Sequence, residues 1–484
     1  MNCIDYLLEE HQKHSGDFIL GRGTPLSYQE LIQGVIRLSN WFESNIGTGN
    51  KVILIMPNSS QSVISYLAIM KSGNVVVPLN PTIEKDGFND IVERCNSRYL
   101  VTTLQLKLRS DFQIETIFTE EKIDAIIQKD EAPEWRSSAV TPDALAQIIF
   151  TSGSTAKPKG VMISHKNIIA NTSSIIEYLS LTSNDIIEIV LPFFYCYGLS
   201  LLHTHLKAGG SVVLNNTFIL LSSVLNDFQK YKCTGFAGVP SHFQILLRKS
   251  NTFKTSKFPY LRYVTQAGGK LHTTFIKEFR ESQPDIKFVV MYGQTEATAR
   301  LSYLPVERLS DKLGSLGKGI PNVELRVVNS DGQPVKPGEI GEIIAQGDNV
   351  MLGYYNEPEE TAKTIKDGWL YTGDLARVDE DGFIYHAARR KEMIKVGGRR
   401  VSPKEIEAVI VGIDGVIDCS IEAQEDEVLG EAIKAILVTN KTMHITEDMV
   451  KQICADNLAN YKVPQVVEFI DNIKVNATGK KVKV

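Results

Sequence analysis

The segment IIFTSGSTAKPKGVMISHKN, residues 148–167, says most about the fold of this 484-residue chain. Its apolar start is typical of a buried strand, and small hydroxyl residues and glycines follow directly. Such residues let backbone N–H groups converge on an anion, and Lys157 and Lys159 add positive charge. The segment therefore predicts a triphosphate-binding loop at the end of a strand, formed by Thr151, Ser152, Gly153, Ser154, Thr155, Lys159 and Gly160.

The loop is not a Walker motif, because the pattern G-x-x-x-x-G-K-[ST] is missing and no Ser or Thr directly follows Lys157 or Lys159. A Ser/Gly-rich stretch also fits a solvated surface turn. The order of strand, hydroxyl residues, lysines and Gly160 favours phosphate binding over that alternative.

Short β-rich runs alternate with helical patterns on both sides of this loop. The clearest are KVILIM (51–56), NVVVPLN (74–80), SVVLNN (211–216), TGFAGVP (234–240) and KFVVMYG (287–293). This alternation predicts α/β layers with largely parallel sheets, which bind ligands at the carboxyl ends of their strands. From about residue 323 the runs are separated by turn signals such as SDGQPVKPGE, which predicts a smaller antiparallel β subdomain.

A further change of pattern near residue 390 predicts a second domain. Ser402, Pro403 and Glu405 together indicate a helix start with an N-cap serine, a first-turn proline and a capping-box glutamate. Alternating helix and strand patterns follow. We therefore predict a large domain at residues 1–390 and a compact α+β domain at 391–484.

Two more segments contain residues suited to binding a nucleotide. In VVMYGQTEAT (289–298), Tyr292 could stack on a base, Thr295 could bind a phosphate, and Glu296 could hold Mg²⁺. A capping threonine and a solvated glutamate are the ordinary alternative. In GWLYTGDLARVDEDGFIYHAARRKEMIKVGG (368–398), Asp374 could accept hydrogen bonds from ribose hydroxyls, and Arg389 closes a predicted strand. The other basic residues of 389–400 fit a solvated face equally well.

Composition narrows the possible partners. A net charge of −5 disfavours a surface that binds nucleic acid or an anionic membrane. The chain shows no basic-then-apolar signal pattern and no run of about 18 apolar residues, so we expect no transmembrane segment. Six scattered cysteines without a C-x-x-C pair fit reduced thiols in the cytoplasm. The oligomeric state stays open, a homodimer included.

These segments, in this order and with the tail NATGKKVKV (476–484), resemble the adenylate-forming superfamily. Its members include acyl- and aryl-CoA synthetases, adenylation domains of nonribosomal peptide synthetases, and beetle luciferases. The resemblance extends from TPLSYQEL near residue 24 to the tail and includes GSLGKGIPN and GYYNEPEET. It implies an α/β fold: a large N-terminal domain of two stacked α/β subdomains plus a β subdomain, followed by a small mobile α+β domain.

The resemblance also implies roles for individual residues. The loop 151–160 would orient pyrophosphate. The remaining assignments are Gly268 and Gly269 beside the adenine and the acyl carboxylate, Tyr292 on the adenine, Thr295 on the AMP phosphate, Glu296 on Mg²⁺, Asp374 and Arg389 on the ribose, Lys391 at the hinge, Gly397 and Gly398 along the thiol tunnel, and Lys480 as the catalytic lysine of adenylation. Tyr195 and Gly268 would border the substrate pocket.

The implied function is ATP- and Mg²⁺-dependent activation of a carboxylic acid to an acyl-adenylate, followed by transfer to the thiol of CoA. The segment FFYCYGLS (193–200) has no carboxylate to pair with a buried ammonium, which disfavours α-amino acids and favours a fatty or aromatic acid. Three alternatives stay open: a ligase that loads carrier-protein phosphopantetheine, an inactive nucleotide-binding protein, and a kinase.

Three positions depart from the family pattern. Tyr195 stands where acyl-CoA synthetases commonly have histidine, so an imidazole role at this position is excluded. Lys270 replaces a small residue, and Lys474-Val475-Asn476 replaces a Pro-basic-Thr sequence.

Overall fold

The computed structural model describes residues 1–21, 25–128, 134–151, 158–218, 220–389, 393–396, 399–426, 430–440, 443–474, 476 and 481. The helices of this part of the chain are α1 (Cys3–Leu8), α2 (Tyr28–Ile46), α3 (Ser60–Lys71), α4 (Lys85–Cys95), α5 (Leu104–Arg109), α6 (Glu120–Ile127), α7 (His165–Leu179), α8 (Cys196–Ala208), α9 (Leu221–Lys230), α10 (Pro240–Lys249), α11 (Asn251–Thr255), α12 (Thr273–Ser282), α13 (Pro358–Thr364), α14 (Pro403–Val411) and α15 (Glu447–Asn457). None of them combines the length and apolar character needed to cross a bilayer.

The strands up to residue 303 are β1 (Asp17–Gly21), β2 (Leu26–Ser27), β3 (Lys51–Ile55), β4 (Val75–Pro78), β5 (Tyr99–Thr102), β6 (Thr116–Thr119), β7 (Leu145–Thr151), β8 (Lys159–Ser164), β9 (Ile186–Ile189), β10 (Ser211–Leu214), β11 (Gly235–Gly238), β12 (Tyr263–Gln266), β13 (Lys287–Tyr292) and β14 (Ser302–Tyr303). Those that follow are β15 (Lys318–Gly319), β16 (Val323–Val328), β17 (Ile340–Gly347), β18 (Gly353–Tyr354), β19 (Ile365–Lys366), β20 (Trp369–Val378), β21 (Ile384–Arg389), β22 (Ile394–Val396), β23 (Arg399–Val401), β24 (Val416–Asp426), β25 (Gly430–Thr439) and β26 (Val466–Phe469).

Two large sheets with mainly parallel pairing form the body of the protein. One has the order β18-β8-β7-β4-β3-β5-β6, and the other β15-β14-β13-β12-β11-β9-β10-β1-β2. Strands β4, β11 and β12 are buried along their whole length, as expected where helices cover both faces of a parallel sheet. Strand β7 ends at Thr151, the first residue of the predicted phosphate segment, and β13 ends at Tyr292. The predicted α/β layers are therefore confirmed.

The antiparallel β subdomain and the small C-terminal domain are also present. The first has the order β16-β17-β20-β19 with β21 paired to β20, and the second has β23-β22-β25-β24 with β26 beside β25. A hydrophobic cluster runs from Phe236 and Phe243 of the large domain to Ile406 and Leu437 of the small one. The small domain thus shares a core with the nine-stranded sheet.

One local prediction about the small domain is wrong. Helix α14 does begin at Pro403, but Ser402 forms no capping box with Glu405. The Ser402 hydroxyl instead donates to the backbone oxygen of Ala387 at 2.8 Å, and Glu405 pairs with Lys462 at 2.6 Å. Tertiary partners therefore replace the local hydrogen bonds that the sequence pattern indicates.

Candidate active site

Three residues from distant segments meet around the Asp374 carboxylate. Tyr292 ends β13, and Asp374 and Arg389 lie opposite each other in the β20–β21 pairing. The Tyr292 hydroxyl donates to Asp374 Oδ2 at 2.7 Å, and Arg389 Nε donates to Oδ1 at 3.0 Å. The side chains predicted to contact adenine and ribose are thus within hydrogen-bond distance of one another.

The surroundings of Asp374 keep its carboxylate ionised. Its residue surface is only 1% exposed. This burial opposes the charge, but hydrogen bonding from His386 and the charge of Arg389 outweigh it, so the pKa of Asp374 lies below its ordinary value. Burial, with the nearby Asp374 charge, raises the pKa of Tyr292 well above its usual range. At neutral pH the pair is therefore a carboxylate acceptor and a neutral phenol donor.

Glu296 lies beside the end of the predicted phosphate loop. The turn Thr295–Ala297 begins three residues after the end of β13, and Glu296 Oε1 accepts a hydrogen bond from the Tyr354 hydroxyl at 2.9 Å. Tyr354 lies in β18, which pairs with β8, the strand that starts at Lys159. Lys159 Nζ is 4.9 Å from the centre of the Tyr354 ring and 2.5 Å from Glu360 Oε2. Tyr354 thus connects Glu296 with Lys159.

Thr151 and Lys159 face each other in the β7–β8 pairing, so the two ends of the predicted phosphate loop are adjacent. The loop residues between them that we assigned, namely Ser152, Gly153, Ser154 and Thr155, lie outside the described part of the chain, as do Lys391, Gly397, Gly398 and Lys480. The assignments of those eight residues stay predictions.

The region predicted to hold the substrate carboxylate, around Gly268 and Tyr195, is narrow. Gly268 has a φ of +81°, a backbone conformation that favours glycine. A Cβ atom added there would lie 2.8 Å from the Tyr195 hydroxyl and 3.0 Å from Val239 Cγ1. A Cβ at Gly269 would lie 3.3 Å from the Cγ atom of Pro240, the first residue of α10. The backbone of this turn therefore approaches Tyr195 and α10 more closely than a side chain would allow.

Thr295 connects the region around Tyr195, predicted to hold the substrate carboxylate, with the neighbouring Glu296. The Thr295 hydroxyl donates to Cys196 Sγ at 3.5 Å, and Cys196 directly follows Tyr195. Burial raises the pKa of Tyr195, so the phenol stays neutral at physiological pH. The site thus presents an uncharged hydroxyl where the family pattern has a titratable imidazole.

The donor set at Glu296 fits magnesium better than a metal bound only by protein. Among the residues that the structure describes, no three or more His, Cys, Asp or Glu side chains are placed to share a metal ion. Mg²⁺ usually takes one or two carboxylates and completes its shell with substrate phosphates and water. Glu296 near Lys159 supplies one carboxylate beside a basic group, which suits a magnesium–phosphate complex.

Two residues near the site were missed by sequence reasoning. Tyr354 is the link between Glu296 and Lys159, and its only sequence signal was its place in GYYNEPEET. Arg300 is 2% exposed, and its guanidinium carbon lies 4.0 Å from the centre of the Tyr197 ring. A single arginine after a turn gives no sign that it will be buried under an aromatic segment.

Comparison with known proteins fits this geometry. Residues 8–355 match the AMP-binding enzyme family, and residues 405–480 match the C-terminal domain of AMP-binding enzymes. The chain belongs to the AMP-binding enzyme family. It is an AMP-forming ligase of the acyl-CoA synthetase type within the adenylate-forming superfamily, which confirms the predicted membership.

Relatives of this AMP-forming ligase include a feruloyl-CoA synthase from Amycolatopsis sp., 30% identical over 95% of this chain and 93% of the relative. A 4-coumarate–CoA ligase from Arabidopsis thaliana is 30% identical over 91% and 82% of the two chains. Among solved structures, o-succinylbenzoate CoA synthetase from Bacillus subtilis in complex with its acyl-adenylate intermediate is 27% identical. It gives a TM-score of 0.88 over 99% of this chain and 96% of that one.

Proposed function

We propose that the protein uses Mg²⁺ and ATP to convert an aromatic or fatty acid to an acyl-adenylate and then transfers the acyl group to CoA. The observation behind this proposal is the continuity of the site. Hydrogen bonds join Asp374 to Arg389 and Tyr292, and the chain continues from Tyr292 to Thr295 and Glu296. Tyr354 links Glu296 to Lys159, and Thr295 contacts Cys196, the neighbour of Tyr195. One region can therefore hold a nucleoside, its phosphates and a carboxylate.

Each group of residues would have a distinct task. Tyr292 would support the adenine, while Asp374 and Arg389 would hold the ribose. The loop 151–160, with Lys159, would bind the departing pyrophosphate. Gly268 would let the substrate carboxylate approach the α-phosphate beside Thr295, with the neutral Tyr195 hydroxyl nearby as a hydrogen-bond donor.

Charge is the main barrier to the first step, because a carboxylate attacks a phosphate that is also negative. Lys480 would neutralise both groups, so the site acts by positioning and electrostatic stabilisation. When bound at Glu296, Mg²⁺ would supply Lewis-acid stabilisation of phosphate oxygens. We place the domain boundary at residues 390–391, with Lys391 as the hinge, so that the small domain can turn. Gly397 and Gly398 would then border the path of the thiol.

Aromatic acids come first among the candidate substrates, because feruloyl-, coumarate- and o-succinylbenzoate-CoA ligases are among the relatives. All six cysteines lie in the described part of the chain, are buried and form no disulfide there, which suits a reducing compartment such as the cytoplasm.

A panel of aromatic and fatty acids, with hydroxylamine to trap acyl-adenylate, tests the proposal. We expect acid-dependent release of AMP and pyrophosphate, followed by thioester formation with CoA. ADP as the product would indicate a kinase. Thioester formation only with a phosphopantetheinylated carrier protein would replace CoA as the acceptor, and no turnover with any acid would refute the proposal.

Replacing Asp374 with asparagine should weaken ATP binding about ten- to hundredfold, because a charged acceptor for the ribose hydroxyls is lost. Isothermal titration with a non-hydrolysable ATP analogue measures this effect. Asp381→Asn is the matched control, since Asp381 is an exposed carboxylate that pairs with Lys312 in the same subdomain. Equal affinities of the two variants for the ATP analogue would contradict the assignment of Asp374 to the nucleotide site.

Replacing Tyr195 with histidine should add a pH dependence of adenylation that the Tyr195 phenol does not contribute. The raised pKa of Tyr195 keeps the phenol neutral, so it contributes no titration between pH 6 and 9, whereas an imidazole ordinarily titrates near pH 6.5. Burial at this place would lower the pKa of an imidazole, so we expect the adenylation rate of Tyr195→His to change about threefold or more between about pH 8 and pH 5, relative to the native profile. Tyr195→Phe serves as control, and identical profiles for all three proteins would place Tyr195 away from the reacting groups.

A further inference from the structure

Asp418, in β24 of the small domain, accepts hydrogen bonds from both domains. Lys481 Nζ donates to Asp418 Oδ1 at 2.6 Å and to the backbone oxygen of Cys419 at 2.6 Å. Gln244 Nε2, in α10 of the large domain, donates to the same Asp418 oxygen at 3.2 Å. One carboxylate oxygen of Asp418 thus joins Lys481 to α10 of the large domain.

The charges around Lys481 match this arrangement. The side chains of Lys481 and Asp418 are 23% and 17% exposed. Burial alone would lower the pKa of Lys481, but the negative charges of Asp418 and Glu407 outweigh it and raise that pKa. Lys481 therefore stays charged at neutral pH, and its bond to Asp418 is a charge-assisted one.

The position of α10 connects these contacts with the active site. This helix begins at Pro240, which lies against the Gly268–Gly269 turn at the substrate-carboxylate end. Gln244 lies one helical turn further on and is 8% exposed. At the other end of the contact, Lys481 directly follows Lys480, and consecutive Cα atoms are about 3.8 Å apart. A restraint on Lys481 therefore acts one peptide bond away from Lys480.

We propose that Asp418 is a positioning residue for the adenylation step. Through its bonds to Gln244 and Lys481, it holds Lys481 near α10, so that the neighbouring Lys480 reaches the reacting carboxylate and phosphate. This inference rests on the proposed function. Gln244 and Asp418 belong to different domains, so a turn of the small domain for thiol transfer would break their bond.

Separate assays of the two half-reactions test the role of Asp418. In Asp418→Asn and Lys481→Met, we expect the rate of acyl-adenylate formation to fall about tenfold or more, as expected for loss of a charge-assisted bond. The KM for ATP and the rate of thioester formation from supplied acyl-adenylate should stay within about twofold. Lys481→Arg should recover the adenylation rate, and Asp414→Asn, an exposed aspartate four residues earlier, is the matched control.

A double-mutant comparison tests the contact between the domains. Gln244→Leu should slow adenylation, and adding it to Asp418→Asn should cause little further loss, because both changes remove the same contact. Equal losses in both half-reactions, or no loss in either, would overturn the assignment.

Amide hydrogen exchange gives a readout that does not depend on activity. In the peptide spanning residues 476–484, exchange should be faster in Asp418→Asn than in Asp414→Asn, with matching circular dichroism and thermal midpoints. Unchanged exchange would overturn the inference even in an active enzyme. If the native protein forms no acyl-adenylate but exchange rises as expected, the proposed function fails while the attachment of the segment by Asp418 stands.

Discussion

Replacing Lys480 with alanine should slow acyl-adenylate formation about 10²- to 10³-fold, the usual cost of losing a group that stabilises developing charge. The reason is electrostatic, since two anions approach each other in this step. The second step uses an acyl-adenylate already formed, so thioester formation from supplied acyl-adenylate should change by no more than a fewfold. Hydroxylamine trapping measures the first rate, and CoA thioester release measures the second.

Lys474→Ala is the matched control for Lys480→Ala, because it removes an exposed lysine six residues earlier in the chain. It should leave both half-reactions near native rates. Equal losses in the two half-reactions of Lys480→Ala would show that the lysine supports folding or general binding, and would contradict its assignment to adenylation.

Replacing Glu296 with glutamine should reduce adenylation about 10²-fold, because the carboxylate that we assign to Mg²⁺ loses its charge. The concentration of Mg²⁺ needed for half-maximal rate should rise as well. Glutamine keeps an oxygen that can still accept the hydrogen bond from Tyr354, so the change removes charge with little loss of packing. Initial rates of pyrophosphate release across a magnesium titration measure both effects.

Two further variants separate metal binding from local structure. Glu307→Gln changes an exposed glutamate just after β14 and should behave like the native protein. Tyr354→Phe removes the donor to Glu296 but keeps the ring beside Lys159, so it should cost only a fewfold in rate. A Glu296→Gln variant with the native magnesium dependence would contradict the assignment of Glu296 to the metal.

The prediction of the fold succeeded where the pattern was local and strongly periodic. The apolar runs at 51–56 and 287–293 became β3 and β13. Strand β24 was missed, although its core-facing residues include Cys419 and Ile421. Its sequence VIDCSIEAQED mixes acidic residues with apolar ones, and its buried positions depend on α14 and β25 packing beside it.

Residues of the candidate site likewise divide into those that the sequence identified and those that it did not. Tyr292, Thr295, Glu296, Asp374 and Arg389 were identified from their segments, and the structure places them in one connected region. Tyr354, Arg300 and Asp418 were not, because nothing near them in the chain reveals their partners. Ser402 shows the opposite case. Its sequence pattern is that of a capping box, but its hydroxyl donates to the backbone oxygen of Ala387 instead of forming the local bonds.

The order of residues along the chain was enough to predict the alternating layers, the strand that ends at Thr151 and the family, because strand periodicity and turn chemistry act over a few consecutive positions. Which side chains meet is a different matter. Tyr292 and Asp374 are 82 residues apart, and Gln244 and Asp418 are 174 apart. Such contacts depend on how whole sheets and domains pack, since hydrophobic burial is non-directional and sets distant neighbours only once the complete core has formed.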